Sequence, residues 1–258
     1  MISIISITKN DLGILDTISS VFSQSSNAWE LIIVDASNDS KFTSPLHELI
    51  HGHARLTYIN EPDKGISDAF NKGLKKCHGD WVIFLNGGDT FFSSTVIEEC
   101  LNLLNDHSDD DVVCGSVRSI GKCGKPNIIT ASQPSNLTRR NYMWNPICHQ
   151  ATFFSKRIYM AYPYDIRLSM AMDLDLLLRM NNDGCKFSTI NCMISNYRLG
   201  GFTSSDRYYV RNHIEHALIN MLNKRNVSAI THCILFARNY SLIIARRFVG
   251  LFSNFTHR

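Results

Sequence analysis

Asp35, Asp63 and Asp89 fall where a parallel sheet would bring three carboxylates to one ligand. Asp35 ends the apolar run ELIIVD, Asp63 follows RLTYIN in the loop EPDKGI, and Asp89 closes the turn Asn86-Gly87-Gly88-Asp89 after WVIFL. Runs that are apolar on both faces lie inside parallel sheets. Ligands of such sheets bind beyond the carboxyl ends of the strands. Each aspartate alone could be an Asx-turn residue; the three together point to a binding edge. Thr8, Lys9 and Asn10 leave the first strand at the same edge and offer hydroxyl, amide and backbone donors to a base or ribose. Their alternative use is a helix N-cap by Asn10 or Asp11.

The ligand class narrows by exclusion. The position of a G-x-G-x-x-G fingerprint holds TKNDLG, and no G-x-x-x-x-G-K-[ST] loop is present. Phosphates at this edge need another counter-charge, and a divalent cation on Asp89 would supply it. Mg2+ or Mn2+ takes oxygen ligands and commonly binds few carboxylates plus substrate phosphates. Gly87 and Gly88 would let a diphosphate approach the backbone.

The elements that must position these residues alternate between strand and helix. ISIISI, ELIIVD, RLTYIN, WVIFL and DDVVCG read as strands. Between them lie helices over about 12–23, 44–51 and 67–76 and one capped near Ser94. That order predicts an α/β fold with a mostly parallel sheet flanked by helices. Beyond residue 115 the pattern loosens. ICHQATFF reads as a strand, AMDLDLLLRM as a helix with Asp173 near its start, and FSTINCMISNYRLGGFTSS as one or two strands ending in a Gly-Gly loop. From Arg207 the chain is helical in character, and its end is apolar with interspersed arginines.

The 258 residues with 44% hydrophobic content suffice for one large domain, or one domain with a tail. A formal charge of +3 is far from the balance of a nucleic-acid binder, so no nucleic-acid partner is expected. The eight cysteines form no C-x-x-C pair, which argues against zinc and thioredoxin-like chemistry. MISIISITKND lacks a basic n-region and a cleavage site, and no apolar run approaches a membrane span of about 20 residues.

Taken together, ISIISITKN, ELIIVDASNDS, NEPDKGISDAFNKGLKKCHGDWVIFLNGGDTF, HQATFF and MDLDLLLRM resemble the successive motifs of family 2 glycosyltransferases with the GT-A fold. The likeness covers roughly residues 1–205, and it is nearest to bacterial enzymes that build O-antigen or capsule repeat units. It implies a catalytic domain over 1–205, with a nucleotide-sugar-binding half (1–115) and an acceptor-binding half (116–205). Residues 206–258 would be a helical, membrane-associating extension. It implies that Thr8, Asn10 and Asp35 hold the base and ribose of the nucleotide-sugar, and that Lys64 and Gly65 lie near the nucleotide. Asp68 and Asn71 would line the donor-sugar pocket. Asn86 to Asp89 replaces the family's D-x-D pattern: Asn86 and Gly88 stand where acids are usual, and Asp89 is left as the metal ligand.

The same resemblance makes Asp173 the general base, a role an inverting transfer needs for the proton of the acceptor hydroxyl. Asp173 could instead serve only the helix dipole, and Asp175 is the nearby competitor. Arg179 is placed to pair with Asp175 at i, i+4. His149, Gln150 and Trp144 fall on the acceptor side in the family. Each has a structural alternative, a satisfied core histidine or a packed tryptophan. The implied reaction moves a hexose, glucose or galactose, from a UDP-sugar to a polyprenyl-diphosphate-linked N-acetylhexosamine in β-1,3 linkage. The implied location is cytoplasmic and peripheral on the inner face of the cytoplasmic membrane. The apolar helix after Ser228 would meet that surface, or pack on the domain or in a homodimer. An inactive subunit of this fold and a nucleotidyltransferase are the alternatives. The second lacks its expected Gly- and Arg/Lys-rich loop after the first strand.

Overall fold

Ile2, Ile4 and Ile5 are each no more than 1% exposed, so the first strand is buried on both faces. The computed structural model describes residues 1–120, 126–129, 131, 145–198 and 206–223, with isolated positions between 230 and 238. Along the chain run β1 (Ile2–Thr8), α1 (Ile14–Phe22), β2 (Trp29–Asp35), α2 (Ser40–Ile50), β3 (Leu56–Asn60), α3 (Ile66–Leu74), β4 (Trp81–Phe84), β5 (Thr90–Phe91) and α4 (Val96–Asn105). Then follow β6 (Val112–Ile120), β7 (Pro126–Ile129), β8 (Thr152–Ser155), α5 (Lys156–Tyr159), α6 (Met172–Asn182), β9 (Phe187–Arg198) and α7 (Asp206–Leu222).

One sheet runs in the order β3-β2-β1-β4-β8-β6-β9-β5, with β7 on β6. The β3-β2-β1-β4 half is parallel, whereas β8 pairs antiparallel with both neighbours and β5 antiparallel with β9. This is the mostly parallel sheet expected, with its exceptions in the second half.

Side-chain alternation along each strand sorts the core into two layers. Ile2, Ile4, Leu31, Ile33, Trp81 and Ile83 face a cluster completed by Ile14 and Ile18 of α1, Leu46 of α2 and Ile97 of α4. Ile5, Ile32, Val34, Val82 and Phe84 face the other, completed by Phe70 of α3, Ile158 of α5, Leu174 and Leu177 of α6 and Ile219 of α7. Both faces are covered, which is why the strands read as continuous apolar runs.

Two expected elements change for local reasons. The second helix begins at Ser40 rather than near 44, because the Asp39 carboxylate accepts the Lys41 N–H and caps it earlier; Pro45 is accommodated inside. ICHQATFF is not one strand. A 3-10 turn (His149–Ala151) precedes β8, since the Thr152 hydroxyl and the Ala151 N–H both turn back to the Cys148 carbonyl. Segment 187–198 is a single long strand.

The register sets the binding edge. Thr8 sits opposite Asp35, and Asp35 opposite Asn60. β4 stops sooner, pairing Phe84 with Ile5, so the turn after it folds back across the end of β1. There the Gly87 N–H reaches the Ile7 carbonyl at 3.2 Å.

Candidate active site

The turn after β4 is fixed from two sides. The Ser6 hydroxyl donates to the Leu85 carbonyl at 2.7 Å. The Thr17 hydroxyl of α1 donates to the Asn86 carbonyl at 3.1 Å and accepts the Gly88 N–H at 2.9 Å. Gly88 has φ of +94°, a left-handed conformation that favours glycine. The turn therefore delivers Asp89 inward, where it is 3% exposed. Burial pushes its carboxyl up to about 6, against the opposing pull of the Arg198 N–H, the Gln150 side chain and the Arg198 charge. The Arg198 N–H donates to Oδ1 at 3.0 Å.

Asn86 Oδ1 is buried and has no partner. An orphan acceptor beside a half-compensated carboxylate is a place for a donor hydroxyl or a cation. Among the described residues, no group of three or more His, Cys, Asp or Glu could hold a metal. A hard cation at this turn would have Asp89 and the orphan Asn86 oxygen as its protein oxygens and would draw the rest of its shell from substrate phosphates and water.

Asp173 lies in the first turn of α6, half-buried. Its Oδ2 accepts from Asn145 Nδ2 at 2.9 Å and its Oδ1 from the Leu174 N–H at 2.8 Å. Burial raises its carboxyl above the usual value, and these hydrogen bonds hold it back. The Cys148 thiol, pushed up to about 12 chiefly by burial, also feels the charges of both Asp173 and Asp89. The Tyr197 phenol, raised by burial, feels the same two carboxylates. Asp89 and Asp173, 84 residues apart in sequence, are therefore both within electrostatic reach of Cys148 and Tyr197: Asp89 accepts the N–H of Arg198, next to Tyr197, and Asp173 is held by Asn145, three residues before Cys148.

The remaining expected site residues take varied positions. Asp35 is 1% exposed and already engaged: Oδ1 accepts the Ser37 N–H and Oδ2 the Tyr58 hydroxyl, each at 2.8 Å. Thr8 Oγ1 donates to the Asp11 carbonyl at 3.2 Å, and Asn10 is exposed at the rim with φ of +53°. In the EPDKGI loop, Asp63 accepts the Gly65 N–H and Asp68 the Lys64 N–H, so the loop is closed upon itself. Asn71 spends its side chain on both backbone groups of Tyr164, at 2.9 and 2.8 Å. Asp175 pairs with Arg179 at 2.8 Å, as its spacing suggests.

His149 is not at an open acceptor face. It is 7% exposed and stacks on Phe84 with ring centroids 4.5 Å apart, and its Nε2 meets the Tyr164 hydroxyl at 2.5 Å. Burial drives its pKa down to about 3, so the ring stays neutral. Gln150 turns toward the Asp89 side instead, accepting the Cys148 thiol at 3.2 Å while its side chain helps to lower the Asp89 pKa. Trp144, the loop 200–205 and most of the segment after Ser228 lie outside the described residues.

Sequence reasoning missed Arg198, Asn145 and Glu215. Arg198 carried a signal, a cation at a strand end separated only by Leu199 from Gly200-Gly201. Asn145 and Glu215 act across long separations and carried none.

A family model described as glycosyl transferase family 2 matches residues 3–161. A PGL/p-HBAD biosynthesis glycosyltransferase of Mycobacterium tuberculosis is 24% identical over 216 residues, covering 80% of each protein. TarS 1–349 of S. aureus in complex with UDP matches with a TM-score of 0.62 at 15% identity, covering 84% of this chain. This chain spans 64% of that TarS chain, less than two thirds of it. Mannosyltransferase PcManGT from Pyrobaculum calidifontis, in complex with GDP-Man and Mn2+, matches at 0.63 and 14% identity, covering 97% of this chain and 80% of its own. At these identities the solved structures share the fold.

Proposed function

Because the chain belongs to glycosyl transferase family 2 and has the GT-A fold, we propose that it is an inverting transferase. In this reading it moves a hexose, glucose or galactose, from a UDP-sugar to a lipid-linked N-acetylhexosamine in β-1,3 linkage, in surface-polysaccharide synthesis. The observation that supports the reading is a pair of acids raised by burial, Asp89 in the turn after β4 and Asp173 at the start of α6, that act on the same two side chains, Cys148 and Tyr197.

The roles are those the family resemblance implies, and the geometry is compatible with them. Asp173 keeps a lone-pair direction on each oxygen after Asn145 and Leu174 have taken theirs. It would accept the proton of the acceptor hydroxyl as that oxygen bonds to the anomeric carbon and the bond to the diphosphate breaks. Its raised pKa brings the carboxylate closer to the basicity this task needs. Asp89 and Asn86 would hold Mn2+ or Mg2+, which when bound offsets charge on the departing diphosphate. The base is proposed to lie over Thr8, Asn10 and Asp35, beside the loop of Lys64 and Gly65 and the start of α3 with Asp68 and Asn71. The fold of the catalytic unit would extend through α7, whose Ile219 is buried in the second core layer.

A membrane-surface partner is supported by an exposed stripe on α7: Ile214, Leu218, Met221 and Leu222, continued by Ile230 and Ile234, are each at least half exposed. Among the described residues no helix is long and apolar enough to cross a membrane. The test is release of UDP from a panel of UDP-sugars with an N-acetylhexosaminyl diphosphate-lipid analogue, with Mn2+ or EDTA. Release that requires one donor, the acceptor and the metal bears the reading out. Protein that binds no nucleotide overturns it in favour of an inactive subunit.

A further inference from the structure

Arg198 ends β9, which β6 pairs through Arg198 itself and β5 through Asn196, so its backbone is firmly placed. Its N–H donates to Asp89. Its guanidinium lies flat across two glycines. A methyl group built on Gly88 would come within 2.8 Å of the guanidinium carbon, and one on Gly13 within 2.5 Å of a terminal nitrogen. A side chain at either position would have to push the guanidinium aside. The glycines of TKNDLG and NGGD thus lie against each other beneath one cation. One guanidinium nitrogen reaches Asp11 Oδ2 at 3.1 Å, and both partners of that pair are nearly half exposed. The pair is therefore weak, worth about 1 kcal/mol or less, and can be exchanged for a stronger anion. A guanidinium matches phosphate oxygens with a planar fork of donors.

We propose that the Arg198 guanidinium is the protein's own counter-charge for the donor diphosphate, resting on Asp11 until the donor displaces it. The inference rests on the transferase reading and deepens it. It accounts for a turn in which Asn86 and Gly88 stand where acids are usual, since a cation already lies over the glycines near which the diphosphate would rest. It also accounts for Gly13, which no metal requires.

The test compares binding of UDP and of uridine to the full-length protein by calorimetry, with EDTA and with Mn2+. Uridine reports the base site and UDP adds the diphosphate. Arg198→Gln is expected to weaken UDP binding at least tenfold in EDTA and leave uridine binding unchanged, with an unaltered melting temperature. Arg198→Lys should recover part of the loss, since it keeps the charge without the fork. Gly13→Ala, which leaves every charge in place, should also weaken UDP binding by pushing the guanidinium aside. Asp11→Asn should tighten it by up to about fivefold, the worth of an exposed ion pair. Equal UDP binding by Arg198→Gln and wild type overturns the inference and leaves the transferase reading standing. A loss that falls equally on uridine also overturns it, because the residue would then be structural. Wild-type protein that binds neither UDP nor GDP overturns the transferase reading itself.

Discussion

At the scale of single residues, the site is held in a state its fold disfavours. Asp89 has its pKa moved from 3.8 to about 6, mainly by burial. Two units correspond to about 3 kcal/mol of preference for the protonated form. For an acid raised on folding, nothing is lost below the unfolded pKa, and the penalty is complete above the folded one. Asp89→Asn should therefore melt higher than wild type at pH 8 and equally at pH 3.5, while losing transfer. A mutant no more stable at pH 8 would show that Asp89 is already compensated. Asp173→Asn should keep nucleotide binding and lose turnover by several orders of magnitude. Asn145 positions that base. Removing its hydrogen bond, which lowers the Asp173 pKa, should move the acid limb of the kcat/KM profile to higher pH in Asn145→Ala; an unmoved limb would deny it the role. Asp89 and Asp173 were legible in the sequence because each sits at an element end whose type the pattern reveals. The sequence left His149 between an acceptor-side role and a satisfied core histidine because the rings that enclose it, Phe84 and Tyr164, come from other elements of the chain.

At the scale of elements, α6 is only as well placed as its first turn, and α7 secures it. Glu215 of α7 is 6% exposed and accepts the N–H groups of Ser169, Met170 and Ala171 at 2.7 to 3.2 Å, together with the Ser169 hydroxyl. Arg211, one turn away, donates to it at 2.7 Å. Burial alone would raise this carboxyl, but Arg211 and the three amides hold it below its usual value. Its contribution is thus present at neutral pH and fades as pH falls below about 4.5. Unsatisfied helix-end amides cost about 1 to 3 kcal/mol, so Glu215→Ala should lower the melting temperature by about 2 to 12 °C in a domain of this size. The loss should shrink at acid pH, and kcat should fall more than KM rises, because Asp173 sits two residues past the clamp. Wild-type kcat in a destabilised mutant would mean that α7 supports the fold without tuning the site. The helical pattern of α7 was legible, but its partner was not. A carboxylate reaching amides 44 to 46 residues back leaves no periodic trace. The parallel half of the sheet was read correctly because strand and helix alternate there with short connections. The second half was read loosely because its antiparallel pairs join segments far apart in the chain.

At the scale of the molecule, the donor edge and the α7 surface make separate demands. A donor of the proposed kind reaches the site by diffusion, whereas a lipid-linked acceptor has to be met where it is anchored. The exposed apolar stripe of α7 answers that second demand only if it faces the bilayer. Leu218 is 50% and Met221 59% exposed, so replacing both with glutamate should leave the core intact. The net charge of +3 would fall to +1 by the two added negative charges. At a bilayer surface, loss of two apolar anchors, each worth about 1 kcal/mol or more, should weaken binding to anionic vesicles at least tenfold. Turnover on a short, soluble acceptor should stay unchanged, and turnover on the lipid-linked one should fall with binding. Truncation after Val227 keeps α7 and Glu215, so it too should preserve the soluble reaction while reducing vesicle binding. If the stripe instead seats a second copy of the chain, wild type will sediment as a dimer and the double mutant as a monomer, with vesicle binding equal in both. That result would remove the membrane from the proposed function while leaving the candidate active site as described.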